Sequence, residues 1–124
     1  AVFESRDHLD RKITKGQFLR CIRALKDAGF RKNQIGAYIL VGLPGQSIAD
    51  VVETIQAVKS AGALPIMAYY TPIPHTALWK EAVASSRYDL TSDPIFTNNA
   101  ILPCQKEPFS WETLKGLKAL IADV

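Results

Sequence analysis

Cysteine is scarce, at two residues in 124, and Cys21 and Cys104 are far apart with no CxxC or CxxxCxxC around either. That excludes a disulfide framework and fits a reduced, cytoplasmic setting. Cys21 shares a helical face with Phe18, Ile22 and Leu25 and is expected to be a packed core thiol. Cys104, in Leu102-Pro103-Cys104, lies among loop signals without a motif that would make it a ligand or a nucleophile. Long apolar runs are also missing. The longest, 35–41 and 64–70, are of strand length, well under the ~20 residues a bilayer requires, and no signal-peptide pattern is present. No Lys-Ser/Thr ending completes a phosphate loop and no GxGxxG spacing occurs, which argues against ATP hydrolysis and dinucleotide binding.

What remains is 124 residues at 48% apolar, enough for one domain with a core. A closed eight-stranded α/β barrel requires about 200 residues or more, so a full barrel is excluded. The chain opens on Ala1-Val2-Phe3-Glu4, as if inside a structural element, and is expected to be a piece of a longer protein. The net charge of +3 is uneven: residues 6–32 carry nine Lys/Arg against three Asp. Arg20, Arg23 and Lys26 fall on the solvated side of an amphipathic helix, and no aromatic residues interleave with them as stacking platforms. Both facts argue against nucleic-acid binding, although an RNA-contacting segment near Arg20 to Arg31 is kept as an alternative.

Along the chain, Val2-Phe3 reads as the end of a strand. Thr14 and Gln17 are spaced as a capping box for a helix whose stripe is Phe18, Cys21, Ile22 and Leu25 and whose stop is Gly29. The stretch 35–41 is apolar on both alternations, which predicts a strand covered on both faces. Ser47 and Asp50 cap a second helix with the stripe Ile48, Val51, Val52, Ile55 and Val58, ended by Gly62. The next strand is 64–70, with Pro65 near its start. Strand, helix and strand joined by short links predict a parallel crossover. Thr76 is expected to cap a short helix running to about Ala84 and carrying Leu78, Trp79 and Val83. An ordered loop follows over 85–108, in which Ile95, Phe96, Ile101 and Leu102 want cover. A last helix starts at Ser110, with Glu112 in its first turn and Trp111, Leu114, Leu117, Leu120 and Ile121 for packing.

The turn Gly42-Leu43-Pro44-Gly45-Gln46-Ser47 joins the first of these strands to a capped helix. Glycines there allow close backbone approach, and the helix start offers unpaired N–H groups to an anion. By itself the turn fits equally a ligand site or a tight βα connection. A noncatalytic α/β module binding a phosphate or carboxylate at this helix start is therefore a second alternative.

Gly42-Leu43-Pro44-Gly45-Gln46, the helix stripe after it, Lys59-Ser60-Ala61-Gly62-Ala63 and Tyr70-Thr71-Pro72-Ile73-Pro74-His75-Thr76 together resemble the radical S-adenosylmethionine (SAM) pattern of strand, GLPGQ/E, helix, Gly-Ala, strand and PIPGT. The style is that of cobalamin-type radical SAM proteins and their iron–sulfur oxidoreductase kin. The resemblance covers residues 2 to about 80. It implies an α/β fold, a partial TIM-type barrel of about strands four to six with flanking helices, incomplete as a domain. Residues 1–84 would be its βα units, and 85–124 a loop-rich extension with a C-terminal helix. By the same resemblance Leu40, Val41 and Gly42 would lie along the adenine of SAM, and Tyr69, Tyr70 and Thr71 would meet its edge through backbone groups. Glu4 or Ser5 would bond the ribose hydroxyls. Each has a plainer role open to it: Glu4 as a partner of Arg6, Leu40 and Val41 as barrel core, Tyr69 and Tyr70 as packing aromatics. His75 departs from the pattern, which has Gly there, and is a substrate-contact candidate at the barrel mouth, or else a solvent-facing loop residue. His8, with Asp7 and Asp10, reads as part of a solvated polar loop.

The family's chemistry starts at a [4Fe–4S] cluster held by CxxxCxxC, and neither that motif nor a Gly-Gly-Glu strand is in these 124 residues. The resemblance therefore implies a parent enzyme that reductively cleaves SAM to a 5′-deoxyadenosyl radical, and an isolated chain that is inactive and binds no cofactor. The expected partners are the missing N-terminal half of the same protein and, through open sheet edges, a second copy of the chain, with no membrane.

Overall fold

A computed structural model describes residues 14–105 and 110–123. The predicted strand at Val2-Phe3, and Glu4, Ser5 and His8, lie outside the described residues. The elements are α1 (Lys15–Asp27), a 3₁₀ turn (Lys32–Gln34), β1 (Gly36–Val41), α2 (Ile48–Ala61), β2 (Leu64–Tyr69), α3 (Trp79–Ser85), 3₁₀ turns Pro94–Thr97 and Asn99–Ile101, and α4 (Trp111–Ala122). It is a mixed α/β fold. Among the described residues the sheet has two strands, β1 and β2, paired in parallel from Gly36 opposite Leu64 to Val41 opposite Tyr69. The α2 helix is the crossover between them, as the short links require.

Local chemistry sets the helix starts. Thr14 accepts from the Gln17 amide at 3.2 Å while Gln17 Oε1 accepts from the Thr14 amide at 2.8 Å, closing the predicted capping box of α1. Ser47 and Asp50 do the same for α2. Ser110 accepts from the Thr113 amide at the start of α4. Gly62 ends α2 in the left-handed conformation, φ 88°, and a Cβ there would run into the Lys26 ammonium. Thr76, by contrast, caps nothing: its hydroxyl donates back to the Ile73 carbonyl at 2.6 Å, and α3 begins only at Trp79 without a side-chain cap. The two prolines before it bend the chain away before helical geometry begins.

One face of the sheet is covered. Ile39 and Val41 pack with Ile22 of α1, Val51, Ile55 and Val58 of α2 and Leu117 of α4 in a single cluster. Leu117 brings the 85–124 segment into the same core as the βα units. A second, smaller cluster joins Ala82 of α3 to Leu90 and Cys104, with Tyr70, Trp79 and Phe96 against it.

Three expectations about burial are corrected. Cys21 is exposed, because α1 buries only the narrow line Phe18, Ile22 and Leu25, and Cys21 lies about 100° around the helix from Ile22. The other face of the sheet is bare, with Tyr38 78% and Leu40 52% exposed and Ile66 exposed beside them, since no described element packs there. Ile95 and Trp111 are exposed as well, their turns presenting them outward while Phe96 and Leu117 take the inward positions.

Candidate functional site

Alternation along β1 divides the expected adenine contacts. Val41 has no exposure and, with its register partner Tyr69, faces the helices; Leu40, opposite Ala68, faces the bare side. Leu40 and Val41 therefore do not line one surface. The strand alternation alone carried that signal.

After Val41 the chain turns through Gly42 at φ 92°, and the turn is closed by Gln46. Its side-chain oxygen accepts from the amides of Gly42 at 2.8 Å and Leu43 at 3.2 Å, and its nitrogen donates to the Leu40 carbonyl at 3.0 Å. One side chain thus satisfies three backbone groups at the turn. At the start of α2 the Ser47 amide donates to the Asp50 carboxylate at 2.8 Å, and the Asp50 amide to the Ser47 hydroxyl at 3.1 Å. An anion at this terminus would meet a carboxylate already in place.

The extension closes over the same end of the sheet. Asn99 donates to the Tyr69 carbonyl at 3.4 Å, and the buried Gln105 to the Leu43 carbonyl at 3.0 Å. Leu102 presses on Gly42 so closely that a Cβ at Gly42 would sit 2.9 Å from Leu102 Cδ2. Leu102 itself is left-handed, φ 47°, and buried, a strained geometry for a bulky residue held by its surroundings. The glycine is thus needed for its φ and for the approach of Leu102. Gln46, Asn99, Leu102 and Gln105 were not assigned to this site from sequence; only Gln46, inside the motif, carried a local signal.

Beyond the strand ends, the Tyr70 amide donates to the Val41 carbonyl at 2.8 Å, extending the ladder by one residue. Its phenol oxygen is buried with no hydrogen-bond partner among the described residues. Burial raises its pKa, and Cys104 and Glu81 add to the effect. The Cys104 thiol is raised too, by burial, although a hydrogen bond with Ser85 works the other way. Both groups are neutral near pH 7, so neither is an activated nucleophile. Thr71 is half-buried. His75 is exposed in the left-handed conformation, φ 65°.

Among the described residues no group of three or more His, Cys, Asp or Glu is placed to hold a metal ion, and no helix is long and apolar enough to cross a membrane. With Cys21 exposed on α1 and Cys104 buried against α3, the described residues do not fit an iron–sulfur cluster. They fit an adenine in part. Leu40 offers apolar surface, and the Tyr69 carbonyl, holding one bond from Asn99, keeps a second lone pair. The chain matches no family model, no curated protein and no solved structure.

Proposed function

We propose that this chain is the later part of a radical SAM barrel, contributing adenine contacts and part of the substrate wall to a cytoplasmic parent enzyme. The observation that carries this reading is the bare apolar face of the parallel sheet, Tyr38, Leu40 and Ile66, which ends at the glycine turn. In a barrel that face is the interior, lined by side chains from neighbouring strands. The left-handed backbone at His75 lends further support, since it is the geometry that suits the glycine of the resembling pattern.

Under this reading Leu40 lies under the adenine, the Tyr69 carbonyl accepts from its amino edge, and Thr71 borders it. Val41 holds the strand from behind, and Gly42 admits close approach once Leu102 withdraws. Glu4 or Ser5, outside the described residues, would bond the ribose hydroxyls, and His75 stands on the substrate side. The cluster, which supplies the electron for cleaving SAM, belongs to the missing N-terminal half. The outer edges of β1 and β2 await neighbouring strands, from that half in the parent or from a second copy in the isolated chain.

The test is to express the chain with the reading frame upstream of Ala1 and to titrate SAM calorimetrically under anaerobic conditions. The expected result is one SAM per extended chain, weakened about tenfold by Leu40→Glu, with no heat from the 124-residue chain. Absence of SAM binding by the extended protein, or of CxxxCxxC upstream, overturns the reading.

A further inference from the structure

A second recess lies at the opposite end of the sheet, where both strands begin. It has a volume of about 330 Å³ and is lined by Arg31, Lys32 and Asn33 before β1, Lys59 near the end of α2, Leu64 and Pro65 at the start of β2, and Ile121 near the end of α4. That is the low end of the range for small-molecule sites. Its floor is apolar, from Leu64, Pro65 and Ile121. Three of its seven lining residues are cationic and none is acidic. Pro65 contributes no N–H at this point, so the start of β2 adds no backbone donor from that residue.

Lys59 is held in position. Its ammonium donates to the Leu120 carbonyl at 2.6 Å and to the Asp123 carbonyl, both at the C-terminal end of α4. Two of its three N–H donors are thereby used, and its charge stays at the rim. The 3₁₀ turn that presents Arg31 and Lys32 is fixed by the Gln34 side chain, which accepts from the Arg31 amide at 2.9 Å. Two adjacent cations before β1 and a tethered third near the end of α2, together with an apolar floor, complement a molecule with an anionic head and a short apolar body. A guanidinium fork is suited to a carboxylate or a phosphate alike.

We infer that this recess binds a small amphiphilic anion, its carboxylate or phosphate head at Arg31, Lys32 and Lys59 and its apolar body on Leu64, Pro65 and Ile121. The inference is independent of the SAM reading, which concerns the other end of the sheet.

The test titrates the isotope-labelled chain with octanoate and with octyl phosphate, followed by amide NMR shifts. The expected result is saturable shifts at Lys32, Asn33, Leu64, Ile66 and Ile121, with little change at Arg20 and Arg23 on the exposed face of α1. The head group that saturates at the lower concentration identifies the preferred anion. Octanol and acetate, which carry the tail or the head alone, are expected to bind at least tenfold more weakly. The double variant Arg31→Gln, Lys32→Gln, which leaves the Lys59 tether intact, should weaken binding about tenfold with an unchanged melting temperature. Shifts spread equally over the α1 lysines and arginines, affinity for octanol equal to that for octanoate, no saturation by either anion, or unaltered binding by the double variant would each overturn it.

Discussion

The two faces of β1 are made of similar residues and have opposite fates. Ile39 and Val41 are buried against three helices, whereas Tyr38 and Leu40, their immediate neighbours, face outward. Apolar character therefore did not decide burial; what decided it was whether another element could reach that face. A strand buried on one side alone normally alternates apolar and polar residues, and this one does not. The bare face has the composition of an interior surface without its cover, which is why it supports the barrel reading.

The sharpest way to break this comparison is a matched pair of truncations. Ile55→Ala, behind the covered face with no exposure, should cost about 2–5 kcal/mol in urea unfolding, and Leu40→Ala about 0.5 kcal/mol or less. Equal losses would mean that the bare face is covered in solution, and sedimentation at rising concentration would then reveal the dimer.

The turn at the end of β1 is next. Gln46→Ala leaves the buried Gly42 and Leu43 amides without their acceptor and should destabilise by about 1–3 kcal/mol, with faster hydrogen exchange at both amides. Unchanged exchange at 42 and 43 would show that Gln46 does not hold the turn.

A smaller effect lies in the second cluster. Because burial raises the Cys104 thiol, its contribution to stability is full below the ordinary thiol value of 9.0 and is lost as pH rises towards the elevated one. Tyr70 acts in the same sense from its ordinary value of 10.0 upward. Melting temperature should fall between pH 8.5 and 11, and the fall should be shallower in Cys104→Ala; parallel curves for the two proteins would count against this coupling.

The smallest change expected is a gain. His75→Gly relieves a left-handed backbone worth about 1–2 kcal/mol and adds about 0.4–1 kcal/mol of unfolded-state entropy, for a net stabilisation of about 0.5 kcal/mol. A lower urea midpoint for the glycine variant would mean that the imidazole makes a contact worth more than the strain.

The caps of α1 and α2, the Gly62 stop and the start of α4 were legible in the sequence, because each rests on residues within four of one another, and the crossover followed from the short links between its elements. Gly62 after the α2 stripe is one example, and Ser110 before Thr113 another. Apart from Thr76, where two nearby prolines decide, the misreadings arise where distant chain decides. Cys21 lies on an apolar stripe that α1 uses only in part, and the second face of β1 has the right residues but no described neighbour. At the candidate site, Leu40, Gly42 and Tyr69 were assigned through a motif. The side chains that cover this end of the sheet, Asn99, Leu102 and Gln105, come from a segment without periodicity and could not be placed there beforehand.

The extension is fastened to the βα unit by bonds between residues far apart in sequence, among them Gln105 to Leu43 and Lys59 to Leu120, separated by 62 and 61 positions. Contacts of such long range form late, after the loop between them has closed. Because Leu117 is buried in the main core as well, opening the extension would have to break these bonds and that packing together. Such an opening would lift Leu102 from Gly42 and uncover the end of the sheet. The segment with the least periodicity in the sequence is thus the cover of that surface.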